Sequence, residues 1–466
     1  MASPMAATAL FAHPGARPLG WHVRRTLQLA APIVVSRAAV LVMTVVDSAM
    51  TGWAGAGELA ALGLGIAPQL TLMMIAIGFL QATPILTAQA IGAGEERQAG
   101  AVLRAGLGHA LTLSIVFVAA SLAGEWFFRL TGQPESLVRD AAAVTLAFAL
   151  GLPGMLLFVA CNMFLEATGR PKTGMWVMIA AAAIDLPLNG VFALGWGGFV
   201  EPAGAIGAVA TSSVMRFAAF LATFAILLGW EKRLGDPRGV IAALRGWNAG
   251  QGFGRRMRAI GIPMGLAQGV ESAAFSAMVF LGGLISTEAL AAHQATMSLL
   301  SLIYMNAVGI GGAAAIRVGN AVGRGSTGDV RMAGWSGVVL AGLTALPFAL
   351  LLRFAPDSVA DIFGLTGPAL TVASATIAAA GAVVVLDAMM GANLGALRGA
   401  GDVWTSFAIQ SGAFWLAAVP LAAFLGVRLG LGAPGLIYGI LSGVTISFAL
   451  LALRFRAVSR RAVGRI

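Results

Sequence analysis

LAALGLGIAPQLTLMMIAIGFLQATPILTAQAIGAG, residues 59–94, contains no charged side chain between Glu58 and Glu95. A helix needs about 20 mainly apolar residues to cross the hydrocarbon core of a bilayer, and this run exceeds that length. Two further runs, 186–200 and 429–453, are also free of charge. The sequence therefore predicts a protein that lies in a lipid bilayer.

The composition of the whole chain supports this prediction. Of the 466 residues, 59% are hydrophobic and only 10% are charged, whereas a soluble globular domain carries about 25% charged residues. The net charge of +10 does not indicate nucleic acid, because the basic residues lie in short gaps between hydrophobic runs. In that position they fix the orientation of a membrane protein. The single cysteine, Cys161, excludes an intramolecular disulfide.

Grouping the apolar runs between charged or Gly/Pro-rich breaks predicts an all-α integral membrane protein with twelve transmembrane helices. In the first half, helices are expected near residues 27–51, 59–82, 103–124, 141–163, 173–197 and 204–229. In the second half, they are expected near residues 259–284, 289–316, 332–353, 369–397, 403–425 and 434–453.

These helices predict a chain of five parts. They are a cytoplasmic leader 1–26, an N-lobe 27–229, a cytoplasmic linker 230–258, a C-lobe 259–453 and a basic cytoplasmic tail 454–466. The leader lacks the short apolar core and cleavage site of a signal peptide. Each lobe is expected to contain six helices.

The basic residues also predict the orientation. An even number of helices places both termini on one side; if that side is the cytoplasm, its segments carry 23 Lys and Arg residues against four in the opposite loops. This bias predicts cytoplasmic termini. The 27 Arg against two Lys, with abundant Ala, indicate a GC-rich bacterial genome and hence the bacterial inner membrane.

An internal repeat relates the two halves. Gln89-Ala-Ile-Gly-Ala-Gly94 has a counterpart 231 residues later in Asn320-Ala-Val-Gly-Arg-Gly325, and Pro32 matches Pro263 at the same displacement. Parallel repeats of this kind are related by an axis along the membrane normal and bind substrate between the halves. We therefore expect two six-helix bundles related by a pseudo-two-fold axis along the membrane normal, working by alternating access.

Four carboxylates lie well inside the predicted helices, where an ionised group costs roughly 2.5–3.5 kcal/mol. They are Asp47, Asp185, Glu271 and Asp387. The bases within predicted helices are Arg37 and Arg216, which can neutralise at most two of the four. At least two carboxylates are therefore expected to bind cations or protons.

A carboxylate buried away from water can exchange one cation for another. Burial disfavours its charged form, so it can load a proton on one side of the membrane and release it on the other. The same group, when ionised, attracts sodium or an organic cation. Binding of a proton and binding of a substrate then exclude each other, as an antiporter requires, although this reasoning does not identify the ion.

Several motifs along the chain form a recognisable set. Val46-Asp-Ser-Ala-Met-Thr-Gly52 follows Pro32, which lies 15 residues before Asp47. The others are Asp185-Leu-Pro-Leu-Asn189, Glu271 eight residues after Pro263, Ala291-Ala-His-Gln294, Ile316-Arg-Val-Gly-Asn-Ala-Val-Gly323, and Asp387 before Leu397-Arg-Gly-Ala-Gly-Asp402. From about Leu29 to the last helix, the chain resembles the multidrug and toxic compound extrusion (MATE) family, in its NorM-like branch.

The resemblance implies roles for these residues. Asp47, Asp185 and Asn189 would line a substrate cavity in the N-lobe, with Asp47 as the leading proton- or substrate-responsive carboxylate. Glu271 and Asp387 would form a cation site in the C-lobe. Pro32 would be the conformational hinge of the first helix.

The chain departs from the family pattern at two positions that bear on the ion. NorM-type members with a sodium site tend to have an aromatic residue one turn before the tenth-helix aspartate, where this chain has Val383. Asp185 stands where many relatives have Asn and adds a second carboxylate to the N-lobe. Both departures favour H⁺ over Na⁺ as the coupling ion.

The sequence therefore predicts a secondary exporter of organic, cationic or amphipathic compounds, driven by H⁺ or Na⁺. It is expected to act as a monomer in the bilayer, without cofactor, metal, nucleic acid or obligate protein partner. Alternatives are a flippase for lipid-linked precursors and a narrow-specificity metabolite exporter. The flippase would need several cations in its cavity, and an enzyme would need a cluster of His, Asp or Ser at a membrane face. His293 is expected to cap or pack a helix.

Overall fold

The computed structural model describes residues 18–246, 252–363, 367–461 and 464. The regular secondary structure of these residues is helical, without strands. Twelve of the described helices are long and apolar enough to cross a membrane. The all-α membrane fold and the number of helices predicted from the sequence are confirmed. Residues 1–17 of the predicted leader lie outside the described residues.

The helices of the first half are labelled α1 to α6. They are α1 Leu19–Ala54, α2 Ala56–Leu80 with its continuation Ala82–Gly92, α3 Gln98–Ser121, α4 Glu135–Ala167, α5 Pro171–Leu194 and α6 Gly204–Arg233. The helices of the second half are α7 Phe253–Ile285, α8 Thr287–Gly323, α9 Thr327–Phe354, α10 Pro368–Gly399, α11 Val403–Arg428 and α12 Gly432–Val458. Short helices at Gly124–Leu130, Val240–Arg245 and Pro356–Asp361 lie between them.

Several helices extend beyond the predicted ends. The predictions stop where charged residues begin, but backbone hydrogen bonding continues through them. As a result, His22, which was assigned to the leader, lies in α1. Glu166 and Arg398 lie in the last turns of α4 and α10, and Arg317 lies within α8, six residues before its end. Arg317 and Arg398 are therefore arginines within helices that the prediction of Arg37 and Arg216 did not include.

Small residues allow α8 and α10 to pack at close range. A Cβ atom added to Gly395 would lie 2.2 Å from the carbonyl oxygen of Gly311, and one added to Gly399 would lie 2.4 Å from that of Ala315. Such contacts hold membrane helices together, because lipid provides little hydrophobic drive for their association. Gly395 and Gly399 are therefore required for the packing of α10 against α8.

Internal contacts divide the chain into two compact units. The first unit contains residues up to Val34, Ile91–Gly94 and residues from Leu266 onward; the second contains Val35–Ala90 and Glu95–Gly265. Two of the divisions fall within α1 and α7, each two residues after a proline, Pro32 or Pro263. The predicted lobe boundaries stay a prediction.

The predicted linker, 230–258, includes an ordered segment that packs within the second unit. The short helix Val240–Arg245 contacts α3 and α6. The backbone carbonyl of Arg238 accepts a hydrogen bond from Gly100 N at 2.8 Å, and the Arg238 guanidinium pairs with Glu231 at 2.5 Å. Burial, followed by the positive charge of Arg238, lowers the pKa of the neighbouring Arg170. Residues 247–251 of the linker lie outside the described residues.

Candidate functional site

Three helices of the second unit bring four polar side chains together. Asp47 comes from α1, Asp185 and Asn189 from α5, and Ser212 from α6. Asp185 and Asn189 are four residues apart, so they lie on the same face of α5. Asp47 is 5% exposed, Ser212 is 1% exposed, and Asp185 and Asn189 are fully buried. We call these four residues the aspartate pair site.

Asn189 joins the two carboxylates. Its Nδ2 donates to Asp47 Oδ1 at 2.7 Å and to Asp185 Oδ2 at 3.0 Å. An amide nitrogen carries two hydrogens, so it can serve both carboxylates at once. The other end of this side chain, Asn189 Oδ1, is buried without a hydrogen-bond partner among the described residues. The site thus contains a free acceptor beside two carboxylates.

Ser212, on α6, contacts both carboxylates. Its Oγ lies 2.9 Å and 2.8 Å from the two oxygens of Asp47 and 3.1 Å from Asp185 Oδ1. A hydroxyl has one hydrogen to donate but can also accept. Ser212 can therefore donate to one ionised carboxylate and accept from a protonated one.

Arg216 lies one turn after Ser212 on α6. Its charge acts on both Asp47 and Asp185, but its guanidinium carbon lies 4.2 Å from the centre of the Phe148 ring. Within the described part of the chain, it forms no salt bridge with either carboxylate. Arg216 therefore gives the aspartate pair site a positive potential, and its guanidinium does not occupy the carboxylate oxygens that a ligand would bind.

Arg37 pairs with Glu166, a carboxylate outside the four predicted from the sequence. Arg37 Nη2 lies 3.9 Å from Glu166 Oε1, which also accepts a hydrogen bond from Asn162 Nδ2 at 2.8 Å. Glu166 is 4% exposed. The expectation that Arg37 could neutralise one of the four candidate carboxylates is therefore wrong, because it pairs with Glu166 instead. Glu166 lies inside a helix because α4 extends to Ala167.

The first unit contains a second acidic cluster. Glu271 on α7 interacts electrostatically with Asp387 on α10, and both act on the hydroxyl of Tyr304 on α8. Gln268 Nε2 lies 3.5 Å from Glu271 Oε2, at the limit of a hydrogen bond. The positive charge of Arg398 also acts on Glu271. This cluster combines two acids with one base.

Two further residues singled out in the sequence lie in helices. Pro32 lies within α1, at the division between the two units. His293 on α8 is fully buried, and neither ring nitrogen has a hydrogen-bond partner among the described residues. The cap of α8 is Ser286, whose hydroxyl accepts from Ala289 N at 3.0 Å. His293 therefore packs and does not cap.

Comparison with known proteins relates the whole chain to one group. The MatE family model matches residues 32–191 and 263–424, two segments that begin 231 residues apart, as the internal repeat does. A probable multidrug resistance protein NorM of Bradyrhizobium diazoefficiens is 33% identical over 443 residues, which cover 94% of each chain. Another protein of that name, from Deinococcus radiodurans, is 30% identical and covers 93% of this chain and 95% of its own.

Solved structures show the same fold. The crystal structure of a eukaryotic MATE transporter matches with a TM-score of 0.85 at 18% sequence identity. The match covers 95% of this chain and 98% of that one. At this identity the likeness concerns the fold of the helices and not the residues of the site.

Proposed function

This chain belongs to the MatE family of membrane transporters, and we propose that it exports organic cationic or amphipathic compounds in exchange for protons. Its relatives are named as multidrug resistance proteins, which supports a broad range of substrates. The observation that carries the proposal is the aspartate pair site. Its membership of the family also identifies the chain as a transporter and not an enzyme.

The two carboxylates of the aspartate pair site compete for the same donors. Because Asp47 Oδ1 and Asp185 Oδ2 both bond Asn189 Nδ2, they lie within about 6 Å of each other. Two unit charges at about 6 Å repel by about 3 kcal/mol at an effective dielectric constant of about 20. Either a bound proton or an organic cation relieves this repulsion. The two ligands therefore exclude each other, which is the requirement for antiport.

The acidic cluster of Glu271 and Asp387 supports the choice of protons. A sodium ion would take oxygen ligands, and the two carboxylates with Tyr304 could supply them. Arg398, however, already places a positive charge beside Glu271, and Val383 stands where sodium-binding relatives tend to have an aromatic residue. We propose that this cluster also responds to protons, with Na⁺ as the alternative ion.

Alternating access is proposed to involve bending of α1. Proline has no N–H, so Pro32 removes one helical hydrogen bond and leaves α1 easier to bend there. The residues after Val35, including Asp47, belong to the second unit. When Asp47 gains a proton, its bonds to Asn189 and Ser212 change, and this changes how α1 is held. A Pro32→Ala protein with unchanged transport and pH dependence would contradict this mechanism.

The proposal is tested by reconstituting the purified protein into liposomes and imposing a pH gradient and a sodium gradient separately. Ethidium efflux is compared among the wild type, Asp47→Asn, Asp185→Asn and the control Asp140→Asn. Asp140 is an exposed acid at the start of α4. We expect efflux driven by the pH gradient, lost in both site variants and retained in the control.

Other outcomes would change the proposal. Efflux driven by the sodium gradient alone would identify Na⁺ as the coupling ion and direct attention to Glu271 and Asp387. Absence of efflux under either gradient, in folded protein, would reject multidrug export. A lipid-linked precursor or a single metabolite would then be the substrate to examine.

A further inference from the structure

A small, partly open cavity lies within the first unit, where α1 and α9 begin and α8 ends. Its lining includes Trp21, Arg25, Arg317, Asn320, Arg324 and Asp329. We call it the arginine cavity. It shares no lining residue with either acidic cluster, and the proposed exchange of cations does not use it.

The charges that line the arginine cavity are mainly positive. Three guanidinium groups face one carboxylate, that of Asp329. Asp329 Oδ2 accepts from Arg324 Nη2 at 2.8 Å, and its Oδ1 lies 3.8 Å from His22 Nε2. Most basic residues of membrane proteins extend to water, but Arg25 and Arg317 are only 8% and 7% exposed. The lining of the cavity therefore includes two arginines that are largely buried.

Several groups hold Arg317 in position. Its guanidinium donates to Thr26 Oγ1 and lies 3.4 Å from Ser336 Oγ, and it contacts His22 Nδ1. The ring of Trp21 lies 5.7 Å from its central carbon. Two hydroxyls, an imidazole and an indole thus orient this guanidinium at the wall of the cavity.

Two buried donors in the cavity have no acceptor within the described part of the chain. Asn320 Oδ1 accepts from Arg324 Nη1, which leaves the Asn320 amide nitrogen as the free end of that side chain. Asn320 is 2% exposed, and its Nδ2 has no hydrogen-bond partner among the described residues. Arg324 Nε is also buried without a partner there. Buried donors usually have acceptors, and one left unsatisfied destabilises the fold.

We propose that the arginine cavity binds a phosphate group. Guanidinium groups match phosphate oxygens in geometry and charge, and the free N–H groups of Asn320 and Arg324 supply two further donors. The cavity lies at helix ends, where phospholipid headgroups also lie, and basic pockets between membrane helices bind such headgroups. The phosphate belongs either to an anionic lipid or to a soluble molecule. Bound there, it joins the start of α1 to α8 and α9.

The test measures the thermal unfolding midpoint of the purified full-length protein under two sets of conditions. In detergent, inorganic phosphate is titrated against chloride at constant ionic strength. In bilayer discs, phosphatidylcholine alone is compared with phosphatidylcholine containing phosphatidylglycerol. The variant is Arg324→Gln, and the matched control is Arg331→Gln, an exposed arginine on α9 that does not line the cavity. Each shift is measured from that protein's own midpoint without the anion.

We expect the wild type and Arg331→Gln to be stabilised by the anion. Arg324→Gln should bind it about tenfold more weakly or worse, because a charged hydrogen bond is worth roughly 1.5–3 kcal/mol. Stabilisation by inorganic phosphate would identify a soluble phosphate, and stabilisation by phosphatidylglycerol alone would identify a lipid headgroup. If Arg324→Gln does not fold, Asn320→Asp, which adds a negative charge to the cavity, is expected to weaken binding instead.

Two results would overturn the inference. One is the absence of a shift in the wild type with either anion. The other is an equal shift in Arg324→Gln and Arg331→Gln, which would mean that the anion acts elsewhere on the protein.

Discussion

Replacing Ser212 with alanine tests the aspartate pair site most directly. The hydroxyl of Ser212 lies within 3.1 Å of three carboxylate oxygens, two of Asp47 and one of Asp185. A hydrogen bond to a charged group contributes about 1.5–3 kcal/mol. Since the hydroxyl donates its hydrogen to the ionised pair, alanine destabilises the ionised form by about this amount. The population of the form that accepts an organic cation should fall about tenfold or more.

The assay is proton-driven ethidium efflux from liposomes, normalised to the amount of folded protein. We expect Ser212→Ala to lower the initial rate at least about tenfold. Ser213→Ala is the matched control, because Ser213 Oγ donates to the backbone carbonyl of Ala147 at 2.9 Å and contacts neither aspartate. Its rate should remain within about twofold of the wild type.

Ser212→Thr separates the hydroxyl from the size of the side chain. Threonine retains the donor and adds one methyl group, so it should recover much of the activity that alanine loses. Wild-type efflux in Ser212→Ala would refute the reasoning. Equal loss in Ser212→Ala and Ser212→Thr would indicate that packing, and not the hydroxyl, is required at this position.

Two further predictions concern packing and orientation. Gly395→Ala places a Cβ atom 2.2 Å from the Gly311 carbonyl oxygen and should destabilise the protein by about 1–3 kcal/mol in thermal unfolding. Gly412→Ala, where a Cβ atom meets nothing within 4 Å, is its control, and equal unfolding midpoints would contradict the close packing of α8 and α10. An alkaline phosphatase fused to the C-terminus in bacteria should be inactive, because that enzyme needs the periplasm; an active fusion would reverse the predicted orientation.

The sequence predicted the helices well because charge is so unevenly distributed along it. Charge-free runs such as residues 59–94 have few alternatives to a membrane helix. The ends were less accurate, because a charged residue in the last turn still forms helical hydrogen bonds. Glu166 and Arg398 were missed for this reason. Both lie within a few residues of a helix end, where their charge was assigned to a loop.

The sequence predicted three of the four members of the aspartate pair site but not Ser212. Thr211, Ser212 and Ser213 are consecutive hydroxyl residues, and each has a different partner. Thr211 bonds back to the Gly207 carbonyl at 2.9 Å, as hydroxyls in helices often do. Ser213 reaches the Ala147 carbonyl, and Ser212 alone of the three bonds the carboxylates. The difference depends on which helices surround α6, and spacing along one helix does not show it.

The division of α1 between the two units has a consequence for biosynthesis. The start of α1 emerges from the ribosome first, yet its Thr26 hydroxyl binds Arg317, which lies 291 residues later. At about 5–20 residues per second, the segment waits about 15–60 s for this partner to be made. During that interval its polar side chains require water, lipid headgroups or the insertion machinery as temporary neighbours. The first of the described helices to be translated is therefore among the last to complete its packing.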